Sequence, residues 1–120
     1  MTLYNEELNQ LSIDMVKRAC RKYWLEKDAT LFTEYLYSTE VPVIGLDSAD
    51  TGGIYEIEQE SYHVYPQSEQ ACLVVAELTI CNTERMFAYK ELVDVMVLCT
   101  GTDNGIRFSA IHMSVKKKNI

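Results

Sequence analysis

The spacing of apolar residues changes once along this chain, at Pro42, and that change limits what it can fold into. Ahead of Pro42, Leu8, Leu11, Met15, Ala19 and Tyr23 recur every three or four positions, flanked by Val16, Cys20 and Trp24. That stripe predicts one long helix over residues 3–27. Glu6 and Glu7 near its start, and Lys17, Arg18, Arg21 and Lys22 later, match the helix dipole. Asp28 can cap a second, short helix with Leu31, Phe32, Tyr35 and Leu36 on one side. Beyond Pro42 the period is two, which predicts strands over residues 41–46, 54–65, 71–81, 86–99 and 106–116. Residues 47–53 and 82–85 have loop composition, and Thr100 to Gly105 is a hairpin signal. Helices followed by an antiparallel meander make an α+β fold, with the N-terminal helices on one face of the sheet.

The chain has 120 residues, a single domain spanning 1–120, and 48% of them are hydrophobic, enough for a core without disulfides or metals. A net charge of -7 argues against nucleic acid, whose phosphates need a surface rich in Lys and Arg. The one basic run, Lys116-Lys117-Lys118, reads as a solvated tail, since three charges fall short of a polybasic patch. The acidic N-terminal residues lack the pattern of a signal peptide, and no stretch is apolar enough for a membrane span. Cys20, Cys72, Cys81 and Cys99 form no CxxC pair and sit in apolar segments, where a thiol behaves as a small hydrophobe. The expectation is a cytoplasmic protein with reduced cysteines, bound to neither membrane nor nucleic acid.

Pairing Cys99 with Ile106 across the hairpin sets the faces of the last two strands. Tyr89, Glu91, Val93, Val95, Val97, Phe108, Ala110, His112 and Ser114 then share one face, and Leu92, Met96, Leu98, Ile111, Met113 and Val115 the other. Both are strongly apolar, and helices can cover only one. A homodimer through Leu92, Met96, Ile111 and Met113 is therefore predicted, with coverage by the protein's own loops as the alternative.

His112 is the strongest single candidate for acid/base work, and this register sets Glu91 and Ser114 near it on the concave face. Glu91 could orient the imidazole and Ser114 could hydrogen-bond a ligand; the competing view is a His that ties the strand to its neighbours. Ser114 is no nucleophile, because no sharp turn presents it. His63 lies far from His112, and no ligand spacing supports a metal. Glu56, Glu58 and Glu60 alternate along one face and read as a solvated edge that resists strand addition. Tyr23, Trp24, Tyr35 and Tyr37 could line a pocket for a flat apolar ligand, or be core. Thr51-Gly52-Gly53 lacks the Lys and helix of a phosphate loop.

This order of elements, closing on Ile106-Arg107-Phe108-Ser109-Ala110-Ile111-His112-Met113-Ser114, resembles the SnoaL-like branch of the nuclear transport factor two-like domains. His112-Met113-Ser114 matches the family's His-x-Ser ending, and Tyr23 to Asp28 is similar to the turn between its first two helices. The resemblance covers residues 8–115. Two features depart from the fuller pattern: Ile106 and Ala110 stand where relatives carry Trp and His, and residues 45–53 are too few for the usual third helix. Relatives include the calcium/calmodulin-dependent kinase association domain, and what the resemblance implies is a cystatin-like cone, a pocket between sheet and helices, and usually a dimer. Taken with the residues above, the expectation is a module that binds a small apolar or amphipathic ligand through Tyr23, Trp24, Tyr89, Phe108, His112 and Ser114, with no cofactor or metal. The alternative is a small isomerase, cyclase or dehydratase using His112 with Glu91, because this fold hosts many chemistries.

Overall fold

The computed structural model describes residues 2–46, 55–82 and 89–118. The expected loop over 47–53, the turn after Asn82 and the question of a third helix lie outside the described residues, as does the side chain of Tyr89. Among the described residues seven elements follow in order: α1 (Thr2–Glu26), α2 (Thr30–Glu34), β1 (Val43–Ile44), β2 (Tyr55–Ser68), β3 (Ala71–Asn82), β4 (Tyr89–Thr102) and β5 (Gly105–Lys118). They form one five-stranded sheet in the order β1-β5-β4-β3-β2, antiparallel except that β1 runs parallel to β5.

Leu8, Ala19 and Tyr23 of the predicted stripe, with the flanking Val16, Cys20 and Trp24, form the inner face of α1, whereas Leu11 is 47% exposed and Met15 half-buried. Val16, Ala19 and Cys20 are fully buried, and the helix lies chiefly on β2 and β3. Lys27, at φ 57, turns the chain out of the helix, and the Asp28 N–H returns to the Lys22 carbonyl at 3.2 Å. Asp28 then accepts the N–H of Thr30 at 2.9 Å and its hydroxyl at 2.6 Å, which fixes the start of α2 and holds the Asp28 carboxyl below its usual range. Phe32, fully buried, anchors this short helix; its side chain contributes roughly 2–3 kcal/mol of burial.

Alternation decides the two faces of the sheet. Cys72, Val74, Ala76, Leu78 and Ile80 of β3, with Val93, Val95, Val97 and Cys99 of β4, turn toward α1 and are buried. Leu73, Val75, Leu98 and Met96 point the other way, and no described element covers them.

Bulges in β2 and β5 break this regularity, and two of them decide the facing of candidate residues. In β2, Ile57 pairs with Ile80 but Gln59 pairs with Thr79, so Glu58 is extra. Glu56 and Glu58 therefore stay on the outer face while Glu60 turns toward α1, so the three do not form the single solvated row expected from alternation. Glu60 binds Arg21 of α1 through both its oxygens and accepts the Tyr62 hydroxyl at 3.0 Å, and these bonds, Arg21 foremost, lower its pKa. Glu58 instead bonds Cys81 at 2.9 Å and Lys90 at 3.0 Å on the outer face.

The second bulge is in β5. The hairpin is tighter than its composition suggests: Thr102 pairs with Gly105 around Asp103-Asn104, and Cys99 pairs with Phe108, not with Ile106. Leu98 then pairs with Ala110, which leaves Ser109 as the extra residue and reverses the facing of the residues from Ala110 to Val115. Ile111 and Met113 thus turn inward, 1% and 6% exposed, and cannot belong to an outer dimer face as expected. His112 turns outward, opposite Met96. The edge bonds of β5 require this: the Phe108 N–H donates to the Tyr35 carbonyl at 2.7 Å and the Ile111 N–H to Pro42 at 2.9 Å. Amides three apart share one edge only if a bulge lies between them.

Candidate functional site

Where α2 leaves the core, its chain runs beside β5. Leu36 bridges Phe108 in parallel, and the Tyr37 N–H donates to the Phe108 carbonyl at 2.8 Å. This strap and α1 enclose a cavity of about 170 Å³ lined by Met15, Arg18, Leu31, Tyr35 and Phe108. Met15 and Arg18 stand one helical turn apart on α1, so they face the same side. Phe108 forms part of the wall, its ring 6.2 Å from Phe32 and 6.4 Å from Tyr35. Arg107 lies over the outer side of Tyr35, its guanidinium 5.4 Å from the ring centre.

The cavity is apolar with a cationic rim. Arg18 is exposed and makes no ion pair with any described residue. Its guanidinium keeps its donors available, and a carboxylate or phosphate satisfies them two at a time. None of the described lining residues is a His, a carboxylate or a thiol.

The residues expected to act together are not brought together. His112 is exposed on the outer face, whereas Glu91 pairs with Ile80 and shares the inward parity of Val93. The sheet stands between them, and the cause is the bulge at Ser109. Ser114 is carried outward with His112 and pairs with Asp94. Tyr23 and Trp24 are core: their rings meet edge-on at 5.1 Å, Tyr23 donates its hydroxyl to the Leu46 carbonyl, and Trp24 packs on Tyr55. Phe108 and Tyr35 do line the cavity. Met15, Arg18 and Leu31 were read from the sequence only as stripe, dipole and core residues. Their i and i+3 spacing on α1 was the signal that Met15 and Arg18 could share a site. Among the described residues no group of His, Cys, Asp or Glu could hold a metal ion, and no helix is long and apolar enough to cross a membrane.

No family model and no curated protein matches this sequence. Solved structures do share its architecture. The crystal structure of a candidate scytalone dehydratase from Novosphingobium aromaticivorans superposes with a TM-score of 0.58 at 12% identity, over 95% of this chain and 90% of that one. A candidate dehydratase of the nuclear transport factor two-like family from Streptomyces avermitilis gives 0.59 at 14% identity, over 90% and 98% of the two chains. The fold is nuclear transport factor two-like. A protein of unknown function from Pectobacterium atrosepticum has the same architecture, with a TM-score of 0.56 at 15% identity over 88% of this chain and 91% of that one. Identities this low carry the fold alone. Within the nuclear transport factor two-like cone, the cavity lies where helices and sheet meet.

Proposed function

We propose that this chain is a binding module that takes a small amphipathic anion, apolar end first, into the cavity between α1, α2 and β5. The observation that carries this reading is the composition of the lining: Met15, Leu31, Tyr35 and Phe108 around a space of about 170 Å³, with the free guanidinium of Arg18 beside them. Drug-sized ligands need ~300 Å³ or more, so the guest is a short chain or a single ring. A dehydratase, as two of the structural neighbours are named, would need a general base reaching into this space, and the described lining holds no His or carboxylate, with Tyr35 its one hydroxyl.

Hexanoate and 1-hexanol, equal in length and different in charge, test this directly. Hexanoate should raise the melting temperature and hexanol should raise it less. Arg18→Gln should weaken hexanoate about tenfold and abolish the difference. Equal shifts from both compounds, or hexanoate binding undiminished by Leu31→Trp, would sink the reading.

The outer sheet face supports a second part of the proposal, a homodimer. Leu73, Val75, Met96, Leu98 and Ala110 form adjoining apolar rows there, bordered by Tyr65, His63 and His112. Met96, 36% exposed, sits near the middle of the patch. Leu92, also outward, is separated from it by Glu77 opposite Asp94, with Lys116 reaching Asp94 at 3.2 Å. In sedimentation at micromolar concentration the protein should run as a dimer and Met96→Lys as a monomer, because a charge buried at such a centre has no partner. A monomeric parent would remove this half of the proposal.

A further inference from the structure

Two buried thiols play no part in the cavity. Cys72 of β3 and Cys99 of β4 are direct register partners, both turned toward α1 and both fully buried. Paired residues in an antiparallel ladder hold their Cα atoms ~4.5–5.5 Å apart, within the ~4.4–6.8 Å that a disulfide spans. Above them lies Ser12 of α1, also fully buried, whose hydroxyl has no partner of good geometry and whose polar neighbours are these two thiols. A buried hydroxyl left in this state is uncommon and calls for a use.

The surroundings distinguish this pair from the other thiols. Cys20, deep in the core, is pushed far up by desolvation, and Cys81 is raised by its bond to Glu58. Cys72 alone is lowered, to about 7, because the Cys99 thiol donates to its sulfur; Cys99 is raised in return. The Cys99 thiol also reaches the Val97 carbonyl oxygen, at 3.9 Å. A cavity of about 180 Å³ is lined by Leu8 and Leu11, four and one residues before Ser12 on α1, and by Gly101, two residues from Cys99 on the same face. It stops short of Ser12 and the two thiols, which are fully buried, so a small oxidant reaches them through local opening of this end of α1.

We propose that Cys72 and Cys99 form a peroxide-responsive dithiol that closes into a reversible disulfide between β3 and β4 beneath Ser12. The Cys72 thiolate attacks one oxygen of a hydroperoxide; the O–O bond breaks, the other oxygen leaves as hydroxide or alkoxide and takes a proton, and Cys72 becomes a sulfenic acid. The Cys99 sulfur then attacks the Cys72 sulfur. The S–O bond breaks, and the departing hydroxide takes the Cys99 proton as water. Two thiols and one hydroperoxide give one disulfide, one water and one alcohol (a second water for hydrogen peroxide), with two electrons passing to the peroxide. Ser12 is placed to hydrogen-bond the thiolate or the sulfenic oxygen. Directly opposed Cβ atoms lie ~4.5–5.5 Å apart, wider than the ~3.5–4.5 Å of a relaxed disulfide, so the bond draws the strands together and reduces readily.

The test uses the full chain carrying Cys81→Ser, which removes the outward-facing thiol. Reduced protein is treated with hydrogen peroxide, quenched, unfolded and alkylated. The expected result is the joint loss of two alkylation sites, a mass lower by two hydrogens before alkylation, and a non-reduced peptide linking Cys72 to Cys99. Dithiothreitol should reverse all three. With Cys99→Ser in addition, dimedone should trap a sulfenic acid on Cys72. The proposal is overturned if both thiols remain alkylatable at peroxide doses that oxidise Cys81 in the parent protein, if the linked peptide contains Cys20, or if either thiol passes to sulfinic acid without a crosslink.

Discussion

Gly45→Ala should lower the stability of this protein by about 3–5 kcal/mol, a drop of roughly 10–20 °C in melting temperature. Gly45 has φ +87, a conformation that costs a residue with a Cβ about 1–2 kcal/mol. The larger part of the effect is spatial. A Cβ at this position would lie 1.9 Å from the Met113 carbonyl oxygen and 2.9 Å from its carbon. Both are backbone atoms of β5, so no rotamer change can relieve the clash. β1 would have to come away from β5, breaking the pairing of Val43 with Ile111 and Ile44 with His112. Leu46 would move with it, taking its buried side chain and the carbonyl that accepts the Tyr23 hydroxyl. Gly105→Ala is the matched control: its φ is +92, but a Cβ there meets nothing within 4 Å. It should cost only the conformational part. Thermal and urea unfolding of the two variants therefore separates strain from contact, and melting temperatures within a few degrees of each other would show that β1 is not held against β5 in this way.

The same neighbourhood shows what the sequence disclosed. The change of period at Pro42 was enough to order the elements, and the stripe of Val16, Ala19, Cys20 and Tyr23 pointed to the buried face of α1, because periodicity reports burial directly. Alternation likewise sorted β3 and β4, which carry no bulge: Val93, Val95 and Val97 are inward as read. It failed in β2 and β5, where Glu58 and Ser109 are extra residues that reverse the facing of those next along the strand. Neither Glu58 nor Ser109 is a Gly or Pro, so nothing local marked them. The alternation Ile111, Met113, Val115 against Ala110, His112, Ser114 is internally consistent, and only the tether to Cys99 through the bulge assigns it to a face. The cavity was half legible. Tyr35 and Phe108 are aromatic, a residue type that suits a pocket wall, while Arg18 is a surface cation until the strap beside Phe108 gives it something to face.

Deleting Ser109 should abolish cooperative folding. Without the extra residue, β5 has two ways to re-pair with β4, and each inverts half of it. If the hairpin keeps its register, Ile111 and Met113 turn to water and Ala110, His112 and Ser114 enter the core. Losing two large buried side chains and burying a His without a partner costs well over 5 kcal/mol, comparable to the whole stability of a domain this size. If the distal half holds instead, Phe108 is expelled from between Phe32 and Tyr35, and the cavity wall goes with it. In either case the amides of Phe108 and Ile111 can no longer serve Tyr35 and Pro42 on the same edge. Ser109→Ala, by contrast, keeps the bulge and loses only the 2.7 Å hydrogen bond to Thr100, about 1 kcal/mol. Circular dichroism melts and binding of a hydrophobic dye distinguish these outcomes. A deletion variant that melts like Ser109→Ala would mean that β5 is regular, that His112 faces the helices, and that a pairing with Glu91 on the concave face is open after all.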